Sequence, residues 1–292
     1  MDASTPEWLR SARIWAINGI DGFRFLRCPF SVEAQLQLVR SALSEWIEPP
    51  SANNLATAHG VSAAAAADHT NLWARHSAQP DGSLLSKLTW ATVGYQYQWT
   101  PREYDPRFRS HFPAELAQLA SALAGACGWS LRPEAAIINL YSHGSLMGGH
   151  RDDAEPCQDV PIVSISLGLD CVYLLGGETK ATPPVAMRLR SGDVIVQGGL
   201  SRGYVHGVPR VLRDSLPAAL QACGAADADD SEACARLAPF ARWLRDHRLN
   251  INVRQVFAAD PTAGDSTDHA DLATVTDAPR PQGERKRLRD VI

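Results

Sequence analysis

Hydrophobic residues keep two different rhythms along this chain. Through residues 1–86 they recur mostly at helical spacing. In SVEAQLQLVRSALSEWI, Val32, Leu36, Leu38, Val39, Leu43 and Ile47 fall near a period of about 3.6 residues; Ser31 precedes them as an N-cap and Pro49-Pro50 ends the run. The Ala-rich VSAAAAADHTNLWARH predicts another helix, and FPAELAQLASALAGACGW a further one from Pro113 to about Gly125. Between them, KLTWATVGYQYQW (Lys87 to Trp99) mixes β-branched and aromatic residues in partial alternation, the pattern of a strand or hairpin.

From Ala135 the texture changes to short β runs separated by Gly, Pro and Asp. AAIINLY, VPIVSISLGL, CVYLLGG, VAMRLRSGDVIVQGG and GYVHGVPRVL follow one another, and RLNINVRQVF comes after a break. Strands at this spacing predict a barrel or a two-sheet jelly roll. The break, residues 213–245, is acidic in its middle and helical at its end, and reads as an insertion into the β core. Residues 1–86 are expected to pack as a helical extension on a core of residues 87–258. Residues 259–292 are polar, contain proline and end in the basic GERKRLRDVI, and are expected to be disordered.

A hydrophobic content of 45% with 21% charged residues describes an ordinary soluble globular protein. The net charge of −4 excludes a generally basic protein, so a nucleic-acid partner would be met by a local patch. No apolar run approaches the ~20 residues that cross a bilayer, and no membrane partner is expected. MDASTPEWLRSARIW lacks the basic-then-apolar pattern of a secretory signal. Six cysteines never form a C-x-x-C pair and read as reduced thiols of an intracellular protein, with cytoplasm, nucleus and mitochondrion all open.

The candidate chemistry lies in GGHRDDAEP. His150 and Asp152, one residue apart, can grip one ion from the end of a strand; a polar surface turn is the competing reading. Of the other histidines in the β half, His143 falls in an SHGS turn and His206 in the strand-like YVHGVPRVL. We therefore assign His150, Asp152 and His206 as metal ligands. Two His and one carboxylate on one face of Fe(II) leave open positions for O2 and a bidentate cosubstrate. In RLNINVRQVF a period of two puts Arg248, Asn250, Asn252 and Arg254 on one strand face and Leu249, Ile251 and Val253 on the other. Arginines facing into a barrel need an anionic partner, and a dicarboxylate cosubstrate, held by a guanidinium fork, supplies one. A solvated strand face is the alternative.

NLY (Asn139 to Tyr141), HRD (His150 to Asp152), PIVSISLGL, LLGG, SGDVIVQGG, SR..VHGVPRVL and RLNINVRQ, in that order, resemble the AlkB family of Fe(II)/2-oxoglutarate-dependent nucleic-acid dioxygenases. WATVGYQY and HGVPRVL look most like its eukaryotic AlkB homologue 1 branch. The resemblance implies an α+β fold: a double-stranded β-helix (jelly-roll) core with N-terminal helices and the helical insertion before the last core strand. It implies iron on His150, Asp152 and His206, and 2-oxoglutarate hydrogen-bonded by Asn139 and Tyr141. Arg248 would pair with the distal carboxylate, and Asn250 and Arg254 would complete the pocket. Tyr95, and more loosely Trp90, match a lid that holds the substrate base, with core packing as the alternative for these aromatics, and Tyr97 is assigned to substrate with them. Lys180, in GGETKATPP, stands where bacterial members carry an Arg and is assigned to substrate; Ala154 stands where they carry a further acid, for which Asp153 or Glu155 would have to substitute.

The resemblance implies oxidative demethylation of nucleic-acid bases, with N1-methyladenine in tRNA as substrate; a monomer is expected. Methylated DNA bases and 5-methylcytosine oxidation in tRNA are alternatives. An oxygenase acting on a protein or lipid, and a non-catalytic binding domain, are the rival classes. The basic run Arg285 to Arg289 reads as a nuclear signal, an RNA tether or a solvated tail.

Overall fold

A computed structural model describes residues 6–55, 71–80, 83–225 and 232–258 of the chain. Its strands, in chain order, are β1 (Ile14–Ile17), β2 (Ile20–Leu26), β3 (Ala52–Asn53), β4 (Trp90–Gln98), β5 (Glu103–Arg109), β6 (Ala135–Ser142), β7 (Met147–His150), β8 (Ile162–Gly168), β9 (Cys171–Leu175), β10 (Val185–Leu189), β11 (Val194–Gln197), β12 (His206–Val211) and β13 (His247–Arg254). The larger sheet runs β1-β2-β11-β8-β13-β6-β4-β3, with β5 also paired to β4; the smaller runs β10-β9-β12-β7. All pairings are antiparallel, and the two sheets make the expected jelly roll.

Register explains the core. Ala91, Ile138, Ile251, Ile165, Val194 and Leu26 stand directly opposite one another across six neighbouring strands. All six are fully buried. One residue along, the parallel row is Trp90, Asn139, Asn250 and Ser166, which points to the other face. A slip of one residue would exchange these rows, so the alternation fixes the pairing. The apolar row meets the helical layer, where α1 (Glu7–Arg10), α2 (Val32–Ser41), α3 (Leu72–Ala78) and α4 (Ala114–Ala126) lie.

The α2 helix starts where Ser31 accepts a hydrogen bond from the Ala34 amide (3.1 Å), and it continues as one π-helical turn over Ala42–Trp46. In the insertion, α5 (Ala218–Cys223) and α6 (Glu232–Trp243) pack together, and α6 packs on α2. The Ala-rich stretch before α3, the acidic middle of the insertion and the basic C-terminal run fall outside the described residues. Among the described residues no helix is long and apolar enough to cross a membrane. Cys28, Cys127, Cys157, Cys171 and Cys223 are free thiols.

The structure departs from the helical reading of residues 1–86. IWAINGIDGFRFL forms the β1–β2 hairpin, and Asn18-Gly19, with Gly19 at φ +81°, supplies its turn. The helical reading passed over this Asn-Gly signal. β2 then extends the larger sheet through β11. At Gly22 (φ +80°) the Gly198 amide donates to the Gly22 carbonyl at 3.0 Å, and an added Cβ would stand 1.9 Å from the Gly198 carbonyl oxygen. Gly22→Ala is therefore expected to cost about 2 kcal/mol or more, from left-handed strain plus overpacking. Thermal unfolding would show this as a lower Tm; an unchanged Tm would refute the close approach.

Candidate metal and cosubstrate site

The two imidazoles meet because the smaller sheet pairs them. His206, first residue of β12, is the cross-strand partner of His150, last residue of β7, and their rings lie 4.5 Å apart. Each Nδ1 faces a backbone carbonyl, His150 that of Gly148 (2.9 Å) and His206 that of Tyr204 (3.1 Å). Those bonds place the Nδ1 proton and leave both Nε2 lone pairs directed inward. Asp152 completes the set. Its oxygens lie 3.8 Å from each Nε2, and one ligand atom from each residue falls within 4.8 Å of the others. Burial holds His206 in its neutral, ligating form, outweighing the charge of Asp152. Three donors of this type, with tautomers already fixed, fit a ferrous ion. Tyr173 stacks on His206 (centroids 5.9 Å) and donates to Gln197 Oε1 at 2.7 Å; sequence reasoning assigned neither residue a role.

A buried ionic cluster positions Asp152. Arg254 donates to Asp152 Oδ2 (3.1 Å) and to Glu155 Oε1 (2.7 Å). Arg202 donates to the Asp152 carbonyl and to Glu155 Oε2 (2.8 Å). Glu155, Arg202 and Arg254 are 2%, 3% and 4% exposed, so these are dry contacts. Burial alone would raise the Asp152 pKa, but Arg254, helped by His206, His150 and Arg202, holds it well below the usual carboxylate range. Glu155 is lowered in the same way, burial opposed chiefly by Arg254. Arg254, expected to complete the cosubstrate pocket, thus has both terminal nitrogens engaged by acids of the chain. Glu155 is equally occupied, which leaves Asp153 as the acid beside Ala154 that lines the cavity. Glu155 falls in GGHRDDAEP and Arg202 in SRGYVHGVPRVL, and nothing in their spacing discloses the partnership.

Arg248 is the opposite case. It lies across from Tyr141 on β6 and is 2% exposed. Its Nη2 donates to Ser166 Oγ (3.1 Å), while Nε and Nη1 have no partner, and no carboxylate pairs with it among the described residues. A dry guanidinium with two orphaned donors is costly unless an anion completes it. A carboxylate of 2-oxoglutarate fits that requirement. Beside it, Tyr141 lies in cation–ring contact (5.9 Å), its hydroxyl pushed up to about 12 by burial and so held as a proton donor. Asn139 and Asn250 face each other across β6 and β13, and Asn250 is anchored to Ser164 Oγ (2.9 Å) and the Ile165 carbonyl (3.0 Å).

His150, Asp152, Asn139 and Arg254 open on one cavity of about 360 Å³. At its mouth stand Tyr97, Trp99 and Arg102, the last paired with Asp153 at 2.9 Å. Trp99 and Arg102 went unnoticed in the sequence. They come into place because β4 and β5 form a hairpin, and KLTWATVGYQYQW alone showed only one of its strands. Trp90 is buried against Trp99 (4.9 Å). Tyr95 packs edge-on to Phe257 (4.9 Å) beneath Arg109, outside the cavity lining. Lys180 is exposed in the loop after β9, also apart from that lining.

Residues 35–254 match the family model of the 2OG-Fe(II) oxygenase superfamily. An Arabidopsis thaliana protein named DNA N(6)-methyladenine demethylase ALKBH1A is 33% identical, over 88% of this chain and 83% of its own. A Schizosaccharomyces pombe protein named tRNA demethylase abh1 is 31% identical, over 84% and 82%. The solved structure of OsALKBH1 superposes with a TM-score of 0.56 at 18% identity, covering 83% of this chain and 100% of that one, and so shares the fold. The chain belongs to the AlkB family of these oxygenases. It is an iron(II)- and 2-oxoglutarate-dependent dioxygenase.

Glu155→Gln removes one charge from the cluster that aims Asp152. Iron(II) affinity is expected to fall roughly tenfold or more, the usual effect of losing a partner behind a ligand. Titration of the variant with iron(II) under anaerobic conditions measures it; undiminished affinity would show that Asp152 needs no such support.

Proposed function

We propose that the protein is an oxidative demethylase of methylated nucleic-acid bases, acting on N1-methyladenine in tRNA. The observation that carries this reading is the cavity lined by His150 and Asp152 of a His-Asp-His set and by Tyr97 and Trp99, with an incompletely bonded, buried guanidinium on the same sheet face. The names of the relatives, a tRNA demethylase and a DNA demethylase, support a nucleic-acid substrate.

In this reading His150 and His206, through Nε2, and Asp152 hold iron(II). Arg248 takes the far carboxylate of 2-oxoglutarate, and Tyr141 and Asn139 hydrogen-bond the cosubstrate. Asn250, tied down by Ser164, keeps the neighbouring wall rigid. Bound iron, 2-oxoglutarate and O2 supply the oxidation of an N-methyl to an N-hydroxymethyl group, with succinate and CO2 as co-products; the N-hydroxymethyl adduct then releases formaldehyde. The chain's task is to position the groups. Tyr97 and Trp99 offer ring faces to a base that has lost its stacking neighbours. The cluster around Glu155 keeps Asp152 ionised and in place.

Nucleoside mass spectrometry of tRNA and DNA before and after aerobic turnover tests the substrate. Loss of N1-methyladenosine from tRNA, matched by formaldehyde, is expected. Succinate formation stimulated by protein extract and not by methylated nucleic acid would overturn the reading. Arg248→Ala is expected to raise KM for 2-oxoglutarate about 10–100-fold, the worth of a charged hydrogen-bonded pair. It should leave iron(II) affinity near that of the parent; an unchanged KM would remove Arg248 from the site.

A further inference from the structure

We propose that the N-terminal hairpin carries a second nucleic-acid contact: Trp8, Arg13, Trp15 and Arg27 hold an unpaired stretch of the same polynucleotide whose methylated base enters the catalytic cavity. This rests on the demethylase reading and adds a remote anchor to it.

Trp15, on edge strand β1, is 52% exposed, and Trp8, in α1, is 40% exposed. An indole left this open forgoes a large hydrophobic gain, and here two share one hollow. The hollow measures about 270 Å³ and is walled by Trp8, Trp15, Arg13, Arg27 and Pro29. Trp8 is braced from behind by Phe30, ring centroids 5.7 Å apart. Arg13 and Arg27 are exposed; neither makes a hydrogen bond or close ion pair among the described residues, and Arg27 interacts only at longer range with Asp193. Residues 6–29 contain four arginines (Arg10, Arg13, Arg24, Arg27) and two acids (Glu7, Asp21), in a chain whose net charge is −4. The hollow itself is lined by two of these arginines, Arg13 and Arg27, and by no acid, so it is locally basic on an acidic protein, with aromatic faces beside the charges.

That combination selects its partner. An apolar peptide would cover the indoles but leave two guanidiniums dry and unpaired. A single strand of nucleic acid satisfies both, with bases stacking on the rings and phosphates meeting the guanidinium forks. Position adds the rest. β1 lies six strand spacings from β4 in the larger sheet, on the order of 30 Å at about 4.8 Å each. A short oligonucleotide centred on the target base falls short of that span, whereas a folded RNA covers it.

The test compares the wild type with a variant carrying Arg13→Gln, Trp15→Ala and Arg27→Gln, on methylated tRNA and on a pentanucleotide with a central N1-methyladenine. The expected result is a KM for tRNA raised about tenfold or more, with kcat unchanged and pentanucleotide kinetics unaltered. Trp15→Tyr, which keeps a stacking face, should retain most of the affinity for tRNA. An unchanged KM for tRNA overturns the proposal, and so does an equal loss on both substrates. If the wild type demethylates neither substrate, the demethylase reading fails, and the anchor is judged by fluorescence anisotropy with a single-stranded RNA: weaker binding by the variant supports it and equal binding overturns it. Loss of binding to anionic vesicles with RNA binding intact also overturns it.

Discussion

A cluster of two carboxylates and two guanidiniums, all but Asp152 shut away from water, ties the smaller sheet to the larger. Asp152 and Glu155 follow β7, Arg202 precedes β12 and Arg254 ends β13. The cluster balances its own charge, and every acid in it meets an arginine. Such a cluster is a poor source of net stability, because desolvation offsets most of the attraction, but losing one member strands the others at a cost of about 3–5 kcal/mol. Its consequence is geometric. The segment carrying Asp152 leaves the sheet directly after His150, and nothing in β-pairing would hold it facing the imidazoles. The two arginines do.

Arg248 and Arg254 show what the sequence can and cannot express. They share a strand and a face, and the period-two pattern of RLNINVR put both toward the interior. Their environments then diverge. Arg254 ends up with both terminal nitrogens on acids of the chain, whereas Arg248 keeps two donors unmet. No local pattern distinguishes them, because the difference lies in which residues of other strands stand opposite. Glu155 is more than ninety positions from Arg254 in the chain. A buried cation met by two acids of the chain is held in place; one met by a hydroxyl alone still needs an anion.

Other parts of the site were legible to the degree that they depend on strand alternation. The apolar row through Ile138, Ile251 and Ile165, and the polar row through Asn139, Asn250 and Ser166, follow from patterns in AAIINLY, RLNINVR and PIVSISL once their register is set. The mouth was less legible. Tyr97 reaches the cavity and Tyr95 does not, although simple alternation would put two residues so spaced on β4 on one face. β5 itself was hidden by Pro106, which an edge strand tolerates and a sequence reader takes as a break. The first hairpin was missed for a different reason: Asn18-Gly19 sits among residues whose neighbours on both sides read as helical.

The electrostatics grade from floor to mouth. At the floor the Arg–Glu contacts are nearly dry, and Asp152 is held ionised chiefly by the buried Arg254. At the mouth the Arg102–Asp153 pair has comparable length, but its side chains are 64% and 54% exposed, so it contributes little and exchanges readily with water. The same two residue types thus do different things at the two ends. Strong, unscreened pairs keep the metal ligands from relaxing, which a centre handling O2 requires. A weak, wet pair beside Tyr97 and Trp99 can give way to an incoming base without disturbing them. Rigidity and accommodation are separated here by solvent exposure.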